Sequence, residues 1–176
     1  MRGVTAILIA WRTDRRVVCC ARDGIKMNAD QKFTNELSTE KELLRRYFHE
    51  VLDRGKVELI DDLFHPDCVM HRPGRTVVGI NEVRGLAERT KETFAKFETQ
   101  IHDIFGSGDR LVVRLSHYGV GGGIWRSRLG SHDVTGKAVT WNAIAIFRFE
   151  DQRIIEEWVT RDELGMILQF GLLKRV

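Results

Sequence analysis

Chemistry in this 176-residue sequence has to come from a short list of side chains that can hold or move a proton: Glu157, Asp162, His71, His117 and His132. Asp162 lies in Thr160-Arg161-Asp162-Glu163, where an alternating strand pattern gives way to a helical one. A carboxylate there can serve as acid, base or substrate anchor, and it can equally answer the unpaired amides and the positive dipole end of the helix that follows. His71 precedes Arg72-Pro73-Gly74, so its imidazole is placed either to polarise a carbonyl or to cap a turn. His117, near the end of a strand, and His132, in a long loop, are further candidates. Metal ligation needs converging donors at short set spacings. The chain has no His-x-His pair, Cys19 and Cys20 are adjacent and Cys68 stands alone, so neither a metal site nor a disulfide framework is expected. Gly119, Gly121, Gly122 and Gly123 suggest a phosphate loop, but such a loop needs a following helix whose first amides face the anion. Trp125-Arg126-Ser127 follows instead.

The elements that would position these groups are legible as periodicities. Leu43, Leu44, Tyr47, Phe48, Val51 and Leu52 recur on one helical face, predicting a helix from Thr39 to about Arg54, opened by the capping box Thr39-Glu40-Lys41-Glu42 and stopped by Gly55. A short second helix after Gly55 ends at His65-Pro66-Asp67, because proline disfavours helical geometry in the residue before it. Cys68 to His71 reads as a short strand, and Asn81 to about Phe97 as a third helix with Asn81 as its cap. The period then becomes two, and residues 99–105, 110–118, 138–150 and 153–159 read as antiparallel strands separated by Gly106-Ser107-Gly108-Asp109, a long glycine-rich break and Glu150-Asp151-Gln152. A second capping box at Thr160 to Glu163 opens a short last helix. Helices first and sheet later, without βαβ alternation, make the fold class α+β.

Composition narrows the function classes. With 43% hydrophobic and 30% charged residues the chain suits one globular domain with a single core. Residues 1–26 carry +4 of formal charge and the rest −1, so the folded part lacks the clustered cations from which nucleic-acid affinity is built. The apolar run from Val4 to Trp11 is far shorter than the roughly 20 residues that span a bilayer. It also lacks a clear small-residue cleavage site after it, so membrane insertion and export are disfavoured and a cytoplasmic protein is expected. Residues 1–38 read as a leader ahead of a domain over 39–176, and Met27-Asn28-Ala29-Asp30 looks like a conventional start, which makes 1–26 an upstream extension or tag.

The order of elements and several short signatures together resemble the SnoaL-like polyketide cyclase (ester cyclase) family of the nuclear-transport-factor-2-like superfamily. His65-Pro66-Asp67, Val78-Gly79, Gly108 to Val112, Thr135-Gly136-Lys137, Ile146 to Phe149 and Asp162-Glu163-Leu164-Gly165 with Gln169 and Gly171 carry the resemblance, which covers roughly residues 40–172. It implies a cone-shaped, cystatin-like roll: helices packed on a strongly curved antiparallel sheet around an apolar pocket, and dimers through the outer sheet face. It also implies cofactor-free aldol-type acid/base chemistry. In that alignment the cyclases' acid/base aspartate falls at Val159, its histidine neighbour at Ala145 and a pocket asparagine at Met70, so none of the three is retained. The Arg-x-Asp arrangement of limonene epoxide hydrolase has only the echo Arg148-Phe149-Glu150, at a hairpin end.

If Ala145 and Val159 face the pocket, alternation implies that Trp141, Ala143, Phe147, Ile155 and Glu157 share that side, with His117 on the neighbouring strand and Met70 nearby. Glu157, desolvated against Trp141 and Phe147, would have its pKa raised toward neutrality, as general acid/base catalysis requires. His71 could then pair with Glu157. Trp125 and Trp158 are expected to be packing residues, Trp158 on the outer face as part of a dimer contact. The expectation is a small cofactor-free enzyme acting on an apolar oxygenated molecule with Glu157, Asp162 or His71 as catalytic groups. Its rival is a non-catalytic binding or structural domain.

Overall fold

In a computed structural model that describes residues 37–173 apart from Arg128, the first helix starts ahead of its apparent capping box. Helix α1, Ser38–Arg46, begins after Leu37, which is buried; no side chain caps it, and Thr39 already lies inside. Leu37 and Ser38, read as the end of the leader, thus belong to the folded unit, whereas residues 1–36 lie outside the described residues. The helix runs on without a break as a π-helical stretch, Tyr47–Asp53, which buries the consecutive aromatics Tyr47 and Phe48. Such π turns mark functional sites more often than plain helix does. Gly55, with φ of 71°, ends it as expected.

A 3-10 turn, Val57–Leu59, and the one-turn helix α2, Ile60–Leu63, lead into β1, Phe64–Arg72, and β2, Arg75–Val78. Helix α3, Ile80–Thr93, is followed by β3, Phe94–Ser107, and β4, Arg110–Gly121. A small hairpin of β5, Ile124–Ser127, and β6, Gly130–Asp133, precedes β7, Ala138–Glu150, and β8, Arg153–Arg161; helix α4, Glu163–Gln169, closes the order. The main sheet has the order β2-β1-β8-β7-β4-β3, with β1 parallel to β8 and every other pair antiparallel. None of the described helices is long and apolar enough to cross a membrane.

Alternation along β4 and β7 turns Leu111, Val113, Leu115, Ala143, Ala145 and Phe147 onto the inner face, where they meet Leu44, Tyr47, Phe48, Val51, Val83 and Ala87 of the helices. A second, smaller core joins Phe94, Trp125, Val134, Trp141, Met166 and Phe170.

Three further sequence readings need correction, and the glycine run finds its reason. Helix α3 stops at Thr93, because Phe94 and Phe97 belong to β3: a bulge between Phe94 and Lys96 lets both rings face inward, although they are spaced like helix neighbours. Its N-cap is Gly79, with no side-chain cap, rather than Asn81. The last helix is capped by Asp162, whose Oδ1 accepts from Gly165 N at 2.7 Å, rather than by Thr160. The glycine run serves close packing: a Cβ on Gly121 would stand 1.9 Å from the Val134 carbonyl oxygen, and one on Gly119 would strike the Phe94 ring.

Candidate active site

Between the helices and the inner sheet face lies a cavity of about 180 Å³. Leu115, Ala143, Ala145 and Val159 of the sheet and Phe48, Leu52 and Leu86 of the helices give it apolar walls. Polar groups gather in two places.

The first is a buried ion pair. Arg72, the last residue of β1, donates from Nη2 to Glu157 Oε2 of β8 at 2.6 Å, and the two side chains are only 16% and 3% exposed. Parallel pairing of Met70 with Glu157 sets this up, since the Arg72 side chain reaches back across one position. The guanidinium also lies against the buried Tyr47 hydroxyl. Burial pushes the Glu157 carboxyl up and Arg72 pulls it down; burial also works against the Arg72 charge, which Glu157 holds in place. Burial likewise raises the Tyr47 hydroxyl, which stays a donor. Arg72 Nε is buried with no hydrogen-bond partner among the described residues.

The second is His117 of β4, buried among Phe48, Phe97 and Trp141. Its direct cross-strand partner is Thr99 of β3, and Thr99 Oγ1 lies 3.0 Å from His117 Nδ1 and 2.6 Å from Asp53 Oδ1. A hydroxyl has one proton, and a carboxylate can only accept. Thr99 therefore donates to Asp53 and accepts from His117 Nδ1–H, which fixes the imidazole as the Nδ1–H tautomer. Nε2 then carries the lone pair, with no hydrogen-bond partner among the described residues, in a ring that lines the cavity. Asp53 in turn accepts from His49 Nδ1 at 3.0 Å. Burial, and then the charges of Arg161 and Arg72, hold His117 down to about 3, so the ring is neutral across the ordinary pH range.

The residues singled out in the sequence divide accordingly. Glu157, His117, Trp141, Ala143, Ala145 and Val159 all line the cavity. Met70 and Phe147 are buried in the larger core and are not part of its wall. Ile155 is displaced by a bulge in β8: Arg148 pairs with Glu156 and Phe149 with Ile154, so Ile155 is the extra residue and Ile154 takes the inner position. Asp162 is exposed and outside the cavity lining, engaged as a helix cap. His71 points to the outer face, where Nε2 meets Glu156 Oε1 at 2.8 Å and its ring stacks on Trp158. The expected His71–Glu157 pair is thus replaced by Arg72–Glu157 inside and His71–Glu156 outside. His132 is in β6, and its Nε2 is buried without a partner among the described residues. Arg148 pairs with Glu156 at 3.0 Å, away from the cavity. Tyr47, Arg72, Asp53 and Thr99 were not legible as site residues: the roles of Arg72 and Thr99 depend on strand register, and those of Tyr47 and Asp53 on how the π-helical stretch packs against the sheet. Among the described residues no group of His, Cys, Asp and Glu could hold a metal ion.

No curated protein sequence matches the chain significantly. Solved structures with the same fold include TsrD from Streptomyces laurentii, 24% identical over 77% of this chain and 97% of that one with a TM-score of 0.69. A SnoaL-like polyketide cyclase candidate from Jannaschia sp. CCS1 is 18% identical over 78% and 94%, with a TM-score of 0.68. An LEH-like epoxide hydrolase from M. tuberculosis is 16% identical over 77% and 91%, with a TM-score of 0.60. The family model for the SnoaL-like polyketide cyclases matches residues 42–170, so the chain belongs to the SnoaL-like polyketide cyclase family.

Proposed function

We propose that this protein is a cofactor-free enzyme that moves a proton on an apolar, carbonyl-bearing small molecule, with His117 as base. The observation that carries the reading is the fixed tautomer of His117, whose Nε2 lone pair lines the cavity while Thr99 and Asp53 hold Nδ1. In the proposed step a C–H bond beside a carbonyl breaks, its proton goes to Nε2 and its electron pair ends on the carbonyl oxygen. Arg72 and the Tyr47 hydroxyl stabilise that oxygen, and Glu157 positions the guanidinium. The proton returns to a second carbon in an isomerisation, or to the alkoxide formed when the carbanion attacks another carbonyl in a cyclisation. A base so hard to protonate suits a carbon flanked by two carbonyls, whose proton is already acidic. The cyclase assignment of the family and the epoxide hydrolase among similar folds support small-molecule chemistry in this cavity. The compartment we propose is the cytoplasm.

Hydrogen–deuterium exchange at the central carbon of 2-acetyl-1-tetralone, followed by NMR, tests this. The native protein accelerates exchange, and His117→Gln lowers the rate by about 10² or more in protein that circular dichroism shows to be folded. No acceleration by the native protein refutes catalysis. A second reading, a non-catalytic binding domain, draws on Val159, Ala145 and Met70 standing where the cyclases have their polar groups. It predicts binding of the tetralone without exchange.

We further propose that two copies pair through the outer sheet face. Register places Phe105, Val112, Ile146 and Trp158 side by side across four strands, and Phe105, Ile144 and Ile146 are exposed. An apolar row of this kind on a sheet suits a self-complementary contact. Light scattering on Ile146→Lys should give half the native mass; an unchanged mass refutes the contact.

A further inference from the structure

Around the cavity positive groups outnumber negative ones. Arg72, Arg75, Arg89, Arg126 and Arg161 line it, and Glu157 is its one acid among the described residues. Glu157 is taken by Arg72. The two lining residues that are exposed, and so mark where the cavity opens, are Arg75 and Arg126. Neither Arg75 nor Arg89 has a carboxylate partner among the described residues, and Arg126 only approaches Glu92, at 3.8 Å between two exposed side chains. Arg161 gives Nη2 to Glu163 at 2.9 Å, but its Nε is buried with no partner, as is that of Arg72. Arg89 is held low over helix α3: a Cβ on Gly85 would stand 2.9 Å from its Nη1, so this glycine leaves the guanidinium its berth. Concave walls of low dielectric focus the field of such charges and concentrate anions at the opening.

From this arrangement we infer that the substrate is an apolar molecule bearing an oxyanion, a carboxylate or a phosphate monoester, which Arg75, Arg89 and Arg161 of the cavity wall hold while its apolar body enters the cavity. The guanidinium fork fits either group, since each presents two oxygens to paired N–H donors. The inference rests on the small-molecule reading of the same cavity and adds what that molecule must carry.

Calorimetric titration of the full chain with 2-naphthoate, 2-naphthyl phosphate and the neutral methyl 2-naphthoate tests the inference. One of the two anions should bind about tenfold or more tighter than the ester, and that preference should shrink with added salt. The better anion identifies the source of the oxyanion. In R75Q/R89Q/R161Q the preference should fall to within about twofold, while ester binding is retained. Equal binding of ester and anions overturns the inference and leaves the apolar cavity reading standing. A preference that survives in R75Q/R89Q/R161Q overturns it too, because the anion is then held elsewhere. Binding of none of the three refutes both. The tetralone exchange experiment uses a neutral probe, so its outcome is independent of this one.

Discussion

Two hydrogen-bonded carboxylate pairs join the same two strands one residue apart and lie on opposite faces of the sheet. Outside, His71 meets Glu156 with side chains 33% and 20% exposed; inside, Arg72 meets Glu157 with side chains 16% and 3% exposed. The chemistry of the two pairs is alike, but the surroundings differ. Glu156 also takes Arg148, and these partners hold its carboxyl below the ordinary range. Glu157 has Arg72 as its one charged partner among the described residues and faces an apolar interior that pushes its carboxyl up. The outer pair stays accessible to water and is replaceable. The inner pair is poised, because each member is needed to make the other tolerable, and the cavity takes its polarity from that tension.

The sharpest way to break this comparison is to remove one inner partner. Glu157→Ala, leaving Arg72 uncompensated, should cost about 3–5 kcal/mol of stability in urea denaturation, and R72M/E157M should recover most of it. Equal loss in single and double variants would mean that Arg72 finds water easily and that the inner pair is no different from the outer.

His117 gives the next effect. Its pKa is lowered to about 3 in the folded protein, against 6.5 for the free side chain, so the unfolded chain binds more protons between these values. Stability is then fully present above pH 6.5 and falls as the pH drops toward 3, by up to about 1.4 kcal/mol per pH unit from this group alone. Chemical denaturation from pH 7 to 4 should show that slope, and His117→Asn should flatten it. Thr99→Val leaves Nδ1–H and Asp53 without their shared partner and should cost about 1–3 kcal/mol, with slower tetralone exchange. Smallest is Glu156→Gln, about 1 kcal/mol or less in the same assay. A larger cost there would erase the distinction between the two faces.

Local pattern carried the sequence reading where the chain is locally regular. Strand β7, Ala138–Glu150, falls where alternation predicts it, and Trp141, Ala143 and Ala145 face the cavity as expected. It failed where one extra residue shifts the phase. The bulge in β8 exchanges Ile155 for Ile154, and the bulge in β3 makes Phe94 and Phe97 look helical. Arg72 was out of reach for another reason. Its partner is 85 residues away, across a parallel pairing whose register no local pattern states. Glu157 was legible as an inward carboxylate; that arginine rather than histidine faces it was not. Asp162 shows the opposite case, a site candidate that the helix beneath it accounts for fully.

The positions of the tryptophans give the protein two optical reporters. Trp125 and Trp141 stand in the cavity wall, so a ligand entering there changes the surroundings of both indoles and quenches or shifts their emission. Trp158 lies on the opposite face, its ring 5.2 Å from that of His71 and tilted only 10° from it, so its fluorescence reports on the outer sheet face. With Trp158 replaced by Phe, the intrinsic signal of the described domain belongs to the cavity alone, and candidate substrates can be screened without labelling.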